Sequence, residues 1–274
     1  MNSASFYRRW VLPMSLVLLG GKAALCVSPP IAPTADEIMR RVVARARSSQ
    51  EDGRLSSYAY TKQVVVQDLD NQGKVTETKE KLFQFRAGIG SLEQIKINGR
   101  IADGARLKKE EEHLARQANQ LADTKPSQRD DHWEKYLTPD LVARYQFRLR
   151  GQQFVNDRPT YVISFQPRSA NLPVHQMADH LLNQLAGTVW IDQHEFEIAR
   201  ARISAQSKVT LGGLMDVLGS LRTFRFELER VRLEDGIWFN RRASGDFEGR
   251  KLLDNTHVKT RSETSGFCKT SLNR

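Results

Sequence analysis

The sequence predicts a mainly β (α+β) protein built on one curved antiparallel sheet that wraps helices against its concave face. About ten segments alternate apolar and polar residues with the period of two that half-buried strands show. Short polar turns join most of these segments as hairpins, and a few helical segments interrupt the series. Because hairpins connect antiparallel neighbours, the pattern excludes a doubly wound parallel sheet.

The composition is that of a globular protein with an excess of positive charge. Hydrophobic residues make up 39% and charged residues 27% of the 274 residues, which excludes collagen, low-complexity disorder and a protein with many membrane spans. Lys and Arg number 42 against 32 Asp and Glu, so the formal net charge is +10. This charge favours anionic partners without choosing among nucleic acid, lipid headgroups and acidic polymers.

The N-terminal residues 1–26 have the pattern of a secretory signal peptide. Arg8 and Arg9 precede an apolar run, and small residues follow this run up to Cys26. The run is too short for a membrane-spanning helix, which needs about 20 residues. We therefore expect export across the inner membrane to the periplasm and a single mature domain over 27–274.

Three fates of Cys26 remain open in the sequence. Cleavage directly after it would leave Cys268 as the remaining cysteine, and acylation of Cys26 would make an outer-membrane lipoprotein. Leu25 is an unfavourable residue before a lipidated cysteine, where a small side chain is expected. A disulfide between Cys26 and Cys268 is the third alternative in an oxidising compartment.

The first half of the mature chain is predicted as a helix followed by three strands. Residues 34–50 place apolar side chains at helical spacing, with acidic residues in the first turn. Period-two segments then predict antiparallel strands over 55–68, 74–86 and 92–97. The charged segment 103–122 predicts a solvated helix at the sheet edge.

The second half is predicted as hairpins with two insertions. The strand segments are 145–149, 161–165, 187–192, 198–204, 223–232, 237–246 and 251–261. Residues 169–186 suit a short amphipathic helix or cover. A second segment is apolar and flanked by glycines, which predicts a mobile cover whose apolar members are Leu211, Leu214, Met215 and Leu218.

Aromatic and aliphatic residues concentrate on one face of the predicted strands. This face suits an apolar cavity, because a carrier hides acyl chains from water at about 0.8 kcal/mol per buried CH₂. Ordinary core packing is the alternative for the same residues. The candidate cavity residues are Tyr58, Tyr60, Phe83, Phe85, Phe147, Ile163, Phe165, Phe224 and Phe226.

Motifs for catalysis and for nucleic-acid binding do not occur in the sequence. The six histidines form no HExxH pattern, no cysteine pair has zinc-ligand spacing, and no GxSxG elbow is present. The acid–histidine pairs at 130–132 and 192–194 suit solvated loops. Basic residues over 222–232 alternate with acidic ones instead of forming a stripe. We therefore expect no enzymatic activity, no metal or cofactor, and no nucleic-acid partner.

Four short stretches give the chain a resemblance to a known family. They are Ser57–Thr61, Asn71–Lys74, Asn98–Arg100 and, above all, the Gly-Thr-Val-Trp-Ile-Asp segment Gly187–Asp192. In this order, after a signal peptide and a helix, they resemble the LolA/LolB-like superfamily of periplasmic outer-membrane lipoprotein-sorting proteins. The resemblance spans residues 35–265. The charged helix near 103–122 and a C-terminal tail depart from it, which makes the chain a divergent member.

The resemblance implies an open half-barrel whose apolar cavity, covered by helices, shields acyl chains. It carries over no individual functional residue. The sequence therefore predicts a carrier of a lipid or an acylated lipoprotein in transit between envelope membranes. The alternative is a sensor or scaffold of the same fold that binds an envelope protein. A basic rim would also suit docking to an anionic membrane surface.

Overall fold

The computed structural model describes residues 33–50, 57–86, 89–112, 137–169, 171–175, 177–210, 219–251 and 254–270. The helices are α1 (Ala35–Gln50), α2 (104–112), α3 (Pro139–Ala143) and α4 (Met177–Leu182). The strands are β1 (Tyr58–Leu69), β2 (Val75–Arg86), β3 (Ile89–Ile97), β4 (Arg100–Ile101), β5 (Tyr145–Val155), β6 (Arg158–Pro167), β7 (Leu185–Asp192), β8 (Ile198–Ala205), β9 (Val209–Thr210), β10 (Ser220–Arg232), β11 (Trp238–Lys251) and β12 (Asp254–Lys269). Among these residues, no helix is long and apolar enough to cross a membrane.

All strands belong to one antiparallel sheet. Its order is β4-β3-β2-β1-β12-β11-β10-β8-β7-β6-β5, and the short β9 pairs with β10 outside this order. Strands β1–β4 and β5–β12 are two blocks of sequential neighbours, and the ladder between β1 and β12 joins the blocks. Within the described ranges the sheet ends at β4 and β5, so it is open and mainly β, as the sequence predicts.

The C-terminal part differs from its prediction. The sequence pattern places the last strand at 251–261 with a tail behind it, whereas β12 runs over Asp254–Lys269. Its second half forms a ladder with β1, from Ser262 opposite Val64 to Lys269 opposite Tyr58. Backbone pairing with β1 therefore orders a polar segment that side-chain alternation does not mark as a strand.

Two helical predictions are shorter or only partly described. The segment predicted as a helix over 169–186 has a helix at Met177–Leu182, and the chain enters β7 at Leu185. The helix predicted over 103–122 is helical over 104–112, and its remainder lies outside the described residues. Helix α3 and the short strands β4 and β9 are additions that the pattern does not predict.

Helix α1 packs its apolar side onto one face of the sheet. Ile38 and Val42 are fully or almost fully buried against Ile163, Val189 and Leu228. At the N-terminus of the helix, the hydroxyl of Thr34 accepts a hydrogen bond from the backbone N–H of Glu37, which caps the first turn. We call the sheet face under this helix the α1 face.

The strand register defines which residues share the α1 face, because directly paired residues point to the same side. One transverse row crosses ten strands from β3 to β5. It consists of Ile95, Lys81, Val64, Ser262, Ala243, Leu228, Ala201, Val189, Ile163 and Leu149. The row is apolar from β11 to β5, while Ser262 and Lys81 make it more polar toward β12 and β2.

The opposite face carries ion pairs between neighbouring strands. Arg200 of β8 donates to Glu229 of β10 at 2.7 Å, and Arg242 of β11 donates to Glu263 of β12 at 3.2 Å. This face therefore uses many of the basic residues in cross-strand pairs. Arg225, Glu227 and Glu229 of the segment 222–232 belong to this arrangement.

A buried carboxylate ties α1 to the sheet. Glu197, between β7 and β8, accepts hydrogen bonds from Arg45 and Ser49 of α1 at 2.8 and 3.0 Å. It also accepts one from Arg230 of β10 at 2.7 Å. The side chains of Glu197 and Arg230 are each only 5% exposed, so each charge depends on its partner for compensation.

The segment Gly187–Asp192 forms most of β7. Its contacts show why glycine stands at 187 and aspartate at 192. A side chain at Gly187 would place its Cβ 2.1 Å from the carbonyl oxygen of Arg202, so only glycine allows this close strand approach. The sequence assigns Asp192 to a solvated loop, but this residue ends β7 and is fully buried. Arg158 donates to both of its carboxylate oxygens at 2.7 and 2.9 Å, which compensates the buried charge. Burial disfavours the charged carboxylate, but hydrogen bonds from Arg158 and two backbone N–H groups outweigh burial and lower the pKa of Asp192.

Replacing Glu197 should destabilise the fold strongly. In Glu197→Gln the buried guanidinium of Arg230 and the half-buried guanidinium of Arg45 lose the negative charge of Glu197, and we expect the free energy of unfolding in urea to fall by about 3–5 kcal/mol. Glu227→Gln is the matched control, because Glu227 pairs with Arg202 at 3.4 Å and both side chains are 58% exposed. The control should lose at most about 1 kcal/mol. Equal losses in both variants would contradict the role of Glu197.

The pairing of Asp192 should appear in the pH dependence of stability. Because the pKa of Asp192 is lowered by folding, its contribution is present above its ordinary value of 3.8 and is lost as the pH falls through the folded-state pKa. We expect wild type to unfold at higher urea concentration than Arg158→Met at pH 7, and this difference to shrink below pH 3.8. A difference that does not change with pH would exclude a linked ionisation.

Candidate ligand-binding cavity

A cavity of about 400 Å³ lies against the α1 face. Met39 of α1, Leu141 and Val142 of α3, and Leu182 of α4 contribute to its wall from the helices. The volume falls within the range of about 300–1,000 Å³ that is typical of small-molecule sites. The cavity therefore has the size and the composite wall of a ligand-binding site.

The sheet side of the cavity is mainly apolar. Its members come from five strands, β5, β6, β7, β8 and β10, and they are Tyr145, Phe147, Phe165, Leu185, Val189, Ile198, Ala201, Ile203, Phe226 and Leu228. The rings of Tyr145 and Phe165 meet edge to face at 5.2 Å between centroids. Such a wall can exclude water from an apolar ligand, because each buried CH₂ contributes about 0.8 kcal/mol.

Tyr145 links the cavity wall to α4. Its hydroxyl donates a hydrogen bond of 2.6 Å to the carbonyl oxygen of Leu182, which lies at the end of that helix. Burial of the phenol raises the pKa of Tyr145 to about 12, so the hydroxyl remains a donor at neutral pH. The ring faces the cavity while the polar tip is satisfied by the backbone.

Arg144, next to Tyr145, holds the segment around α4. Its guanidinium contacts the buried carboxylate of Asp179 at 3.0 Å and donates to the side-chain oxygen of Asn183 at 2.7 Å. It also donates to the carbonyl of Pro173 at 3.1 Å. These contacts fix α4 beside the first residue of β5. A polar network therefore supports the apolar wall on this side of the cavity.

The other side of the cavity is polar. Lys62 of β1, Asn240 of β11, and Ser262 and Thr264 of β12 contribute to the wall there. Lys62 and Thr264 are direct partners in the ladder between β1 and β12. The cavity thus has an apolar part on β5–β10, which Ala243 of β11 extends, and a polar part formed by Lys62, Asn240, Ser262 and Thr264.

Three of the predicted cavity residues, Phe147, Phe165 and Phe226, line the cavity. Ile163 lies on the same face but is completely buried in the core against α1. Phe224 also shares this face, and its ring packs against Phe247 at 5.3 Å. These residues are thus brought to one face, although only some of them reach the cavity.

The predicted residues of β1 and β2 form another aromatic cluster. Tyr60 stacks on Phe85 at 4.7 Å and contacts Phe239 at 5.5 Å. Tyr58 is buried against Phe239, and Phe83 lies 6.4 Å from Phe85 between ring centroids. None of Tyr58, Tyr60, Phe83 and Phe85 is among the described residues that line the cavity.

Some cavity residues were not predicted from the sequence. Leu137, Leu141 and Val142 belong to or precede the five-residue helix α3. A local signal existed: Thr138 caps this helix by accepting the N–H of Leu141, and Pro139 occupies its first turn. Lys62 also has a local signal, because it interrupts the period-two series of Tyr58, Tyr60, Val64 and Val66.

Several predicted features lie outside the described residues. They are Cys26, the pair of acids and histidine at 130–132, and the cover residues Leu211, Leu214, Met215 and Leu218. Cys268 is described and is exposed near the end of β12. In the described part of the chain, no group of three or more His, Cys, Asp or Glu residues could hold a metal ion.

Comparisons with known proteins give matches among solved structures alone. No family model and no curated protein matches the chain. A LolA-superfamily protein from Nitrosomonas europaea is 10% identical, with 88% of this chain and 96% of that chain covered and a TM-score of 0.28. An outer-membrane lipoprotein-sorting domain from Vibrio parahaemolyticus is 10% identical, with 85% and 93% covered and a TM-score of 0.28.

A further match is the complex of MucA and MucB from Pseudomonas aeruginosa. It is 11% identical, with 86% of this chain and 99% of that chain covered and a TM-score of 0.25. The descriptions of the Nitrosomonas and Vibrio proteins name the superfamily that the sequence resembles. Identities and TM-scores this low assign no function to the chain.

The hydrogen bond of Tyr145 should contribute to stability. In Tyr145→Phe the ring stays in the cavity wall but the carbonyl of Leu182 loses its donor, and we expect a loss of about 1 kcal/mol in the free energy of unfolding. Tyr161→Phe is a control on the neighbouring strand β6, where no described hydrogen bond uses the hydroxyl. An unchanged stability of Tyr145→Phe would contradict the role assigned to this bond.

Proposed function

We propose that this chain is an exported, non-enzymatic protein of the cell envelope that binds an acyl chain of a lipid or of an acylated lipoprotein. The observation that carries the proposal is the cavity of about 400 Å³ with an apolar wall built jointly by the sheet and three helices. An acyl chain suits this wall because it has many CH₂ groups to remove from water and few polar groups to satisfy.

Within this proposal, Phe147, Phe165 and Phe226 contact the acyl chain. Tyr58, Tyr60, Phe83, Phe85, Ile163 and Phe224 support the same sheet face from the core and from the neighbouring cluster. Helices α1, α3 and α4 act as covers of a half-barrel, and Leu211, Leu214, Met215 and Leu218 form a further movable cover. A carrier needs such covers because cargo must enter and leave.

The proposed setting rests on the N-terminal sequence. The signal-peptide pattern over 1–26 would direct a mature domain of 27–274 to the periplasm, and acylation of Cys26 would place it at the outer membrane. The resemblance of Gly187–Asp192 and the other short stretches to lipoprotein-sorting proteins agrees with transport between envelope membranes. Partners are then a lipid or acylated lipoprotein, together with an envelope protein or an anionic membrane surface.

The second candidate function is a sensor or scaffold that binds an envelope protein and carries no lipid. Among the described strands β5 ends the sheet, which favours this candidate, because a strand at the edge of a sheet can bind an extended peptide through its backbone. Phe154 on this strand is 75% exposed, which offers an apolar contact beside the edge. This candidate requires no exchange of a ligand through the cavity.

A binding experiment with a fluorescent fatty acid tests the first candidate. We expect wild type to take up the probe and Phe226→Asp to bind it at least about tenfold more weakly, because the carboxylate would be desolvated in the cavity wall. Phe224→Asp is the matched control, since Phe224 lies on the same face of β10 but outside the cavity lining. Ala243 of β11 also lines the cavity. Ala243→Leu is therefore a second variant, which fills the cavity without adding charge and should also weaken binding.

Native mass spectrometry of the protein purified gently from its own envelope completes the test. A co-purified lipid or acylated peptide that is absent from Phe226→Asp would support the carrier. A ligand-free protein that also fails to take up the probe would overturn it and leave the protein-binding candidate. The intact mass also reports whether Cys26 is retained, removed or acylated.

A further inference from the structure

We infer that the edge of β5 binds an extended peptide segment of a partner protein in which acidic and apolar residues alternate. The inference rests on the second candidate function and makes it more specific, because it states which strand binds and which side chains the partner presents. The segment would add to the sheet as one more strand. Its acidic side chains would lie beside Arg148 and Arg150, and its apolar side chains beside Leu149 and Phe154.

Within the described part of the chain, β5 has a neighbouring strand on one side alone. This neighbour is β6, and β5 ends the sheet. The side chains from Gln146 to Phe154 are exposed, apart from the half-buried Phe147. The backbone N–H and C=O groups of an edge strand can pair with an added strand of any sequence. The backbone of β5 therefore provides affinity, while its side chains determine which segment fits.

A row of charged and polar side chains ends at β5 on the face opposite to the α1 face. Direct pairing across seven strands forms this row, which consists of Arg261, Ser244, Glu227, Arg202, Thr188, Ser164 and Arg148. Arg202 contacts Glu227 of the next strand at 3.4 Å. Arg148 has Ser164 on one side, and the position on its other side would belong to the added strand. A carboxylate at that position would continue the cross-strand pairing of this face.

The two arginines of β5 have no carboxylate partner among the described residues. Arg150 donates a hydrogen bond of 2.7 Å to the hydroxyl of Ser164, so both guanidinium groups lie on the same face. Strands β5 and β6 contain no Asp or Glu. The acid of the row, Glu227, is four strand spacings from Arg148, or about 19 Å. This separation exceeds the screening length of about 8 Å at physiological ionic strength, so a partner's acid would be the effective counter-charge.

The other side of the same edge is apolar. Leu149 is 38% exposed and Phe154 is 75% exposed. They pair with Ile163 and Pro159 of β6, which places both on the α1 face. An added strand directs alternate side chains to the two faces of the sheet, so acidic residues can meet the arginines while apolar residues cover these two side chains. Because β6 stays paired across the register shift of β5, a flexible segment can follow it as well.

The test uses short peptides, blocked at both ends, that alternate valine with one polar residue. This residue is glutamate, glutamine or lysine, and a further glutamate peptide carries N-methyl groups on its amides. Fluorescence anisotropy of the labelled peptides measures binding to the full mature protein. We expect the glutamate peptide to bind about tenfold or more tightly than the glutamine peptide, because hydrogen bonds between two charged groups are the stronger ones. The lysine and N-methylated peptides should bind more weakly still.

Variants of the arginines locate the binding strand. Arg148→Glu should weaken binding of the glutamate peptide about tenfold or more, since an attraction becomes a repulsion. Arg261→Glu is the matched control, because Arg261 belongs to the same row and is 68% exposed but lies on β12. The double variant Arg148→Glu/Arg150→Glu should prefer the lysine peptide. Hydrogen exchange of the β5 amides should slow when the glutamate peptide is added to wild type.

The other outcomes would overturn the inference. They are equal binding of the glutamate and glutamine peptides, unchanged binding by Arg148→Glu, undiminished binding of the N-methylated peptide, and no binding of any peptide by wild type. Uptake of the fluorescent fatty acid is measured on the same samples. Its failure while the glutamate peptide still binds would overturn the acyl-binding proposal and leave the role of β5 intact. Co-purification of an envelope protein without peptide binding at β5 would leave the second candidate function and exclude this edge.

Discussion

The ladder between β1 and β12 is the constraint on which the rest of the sheet depends. Without it, β1–β4 and β5–β12 would each present an unpaired strand edge to water. The apolar wall of the cavity belongs to the second block of strands, whereas Lys62 belongs to the first. The ladder that pairs Lys62 with Thr264 places Lys62 in the cavity wall beside the residues of the second block. The cavity wall therefore combines residues of the first strand and of the last two strands of the sheet.

Local patterns predicted most strands, but they did not predict how far each strand extends or which residues reach the cavity. Period-two alternation placed β5–β8 and β10 correctly, because each has one apolar side. The end of β12 has no such alternation and is ordered by the edge of β1. Phe226 and Tyr60 have the same sequence pattern and share a face, yet Tyr60 is stacked within a cluster. Whether such a residue packs in a cluster or lines the cavity depends on where its strand lies in the sheet. Long-range strand pairing determines that position.

The positive charge of the protein has several separate physical roles. Arg45 and Arg230 meet at Glu197 and hold α1 on the sheet, while Arg158 neutralises the buried Asp192. On the opposite face, arginines alternate with carboxylates across strands. The net charge is +10, but many of the arginines are engaged in structural ion pairs. The distribution of charge therefore explains these structural roles, which the net charge alone does not show.

The edge of the sheet at β5 has a consequence for association between copies. Strand edges can add a further strand and so start aggregation, and exposed charges or a bulge reduce this tendency. On β5, Arg148 and Arg150 are exposed, and the register shifts between Leu149 and Gly151. A second copy pairing here would have to bring guanidinium groups together and match an irregular backbone. The edge at β5 therefore opposes association between copies of this chain. A short peptide segment that carries negative charge could still pair with it.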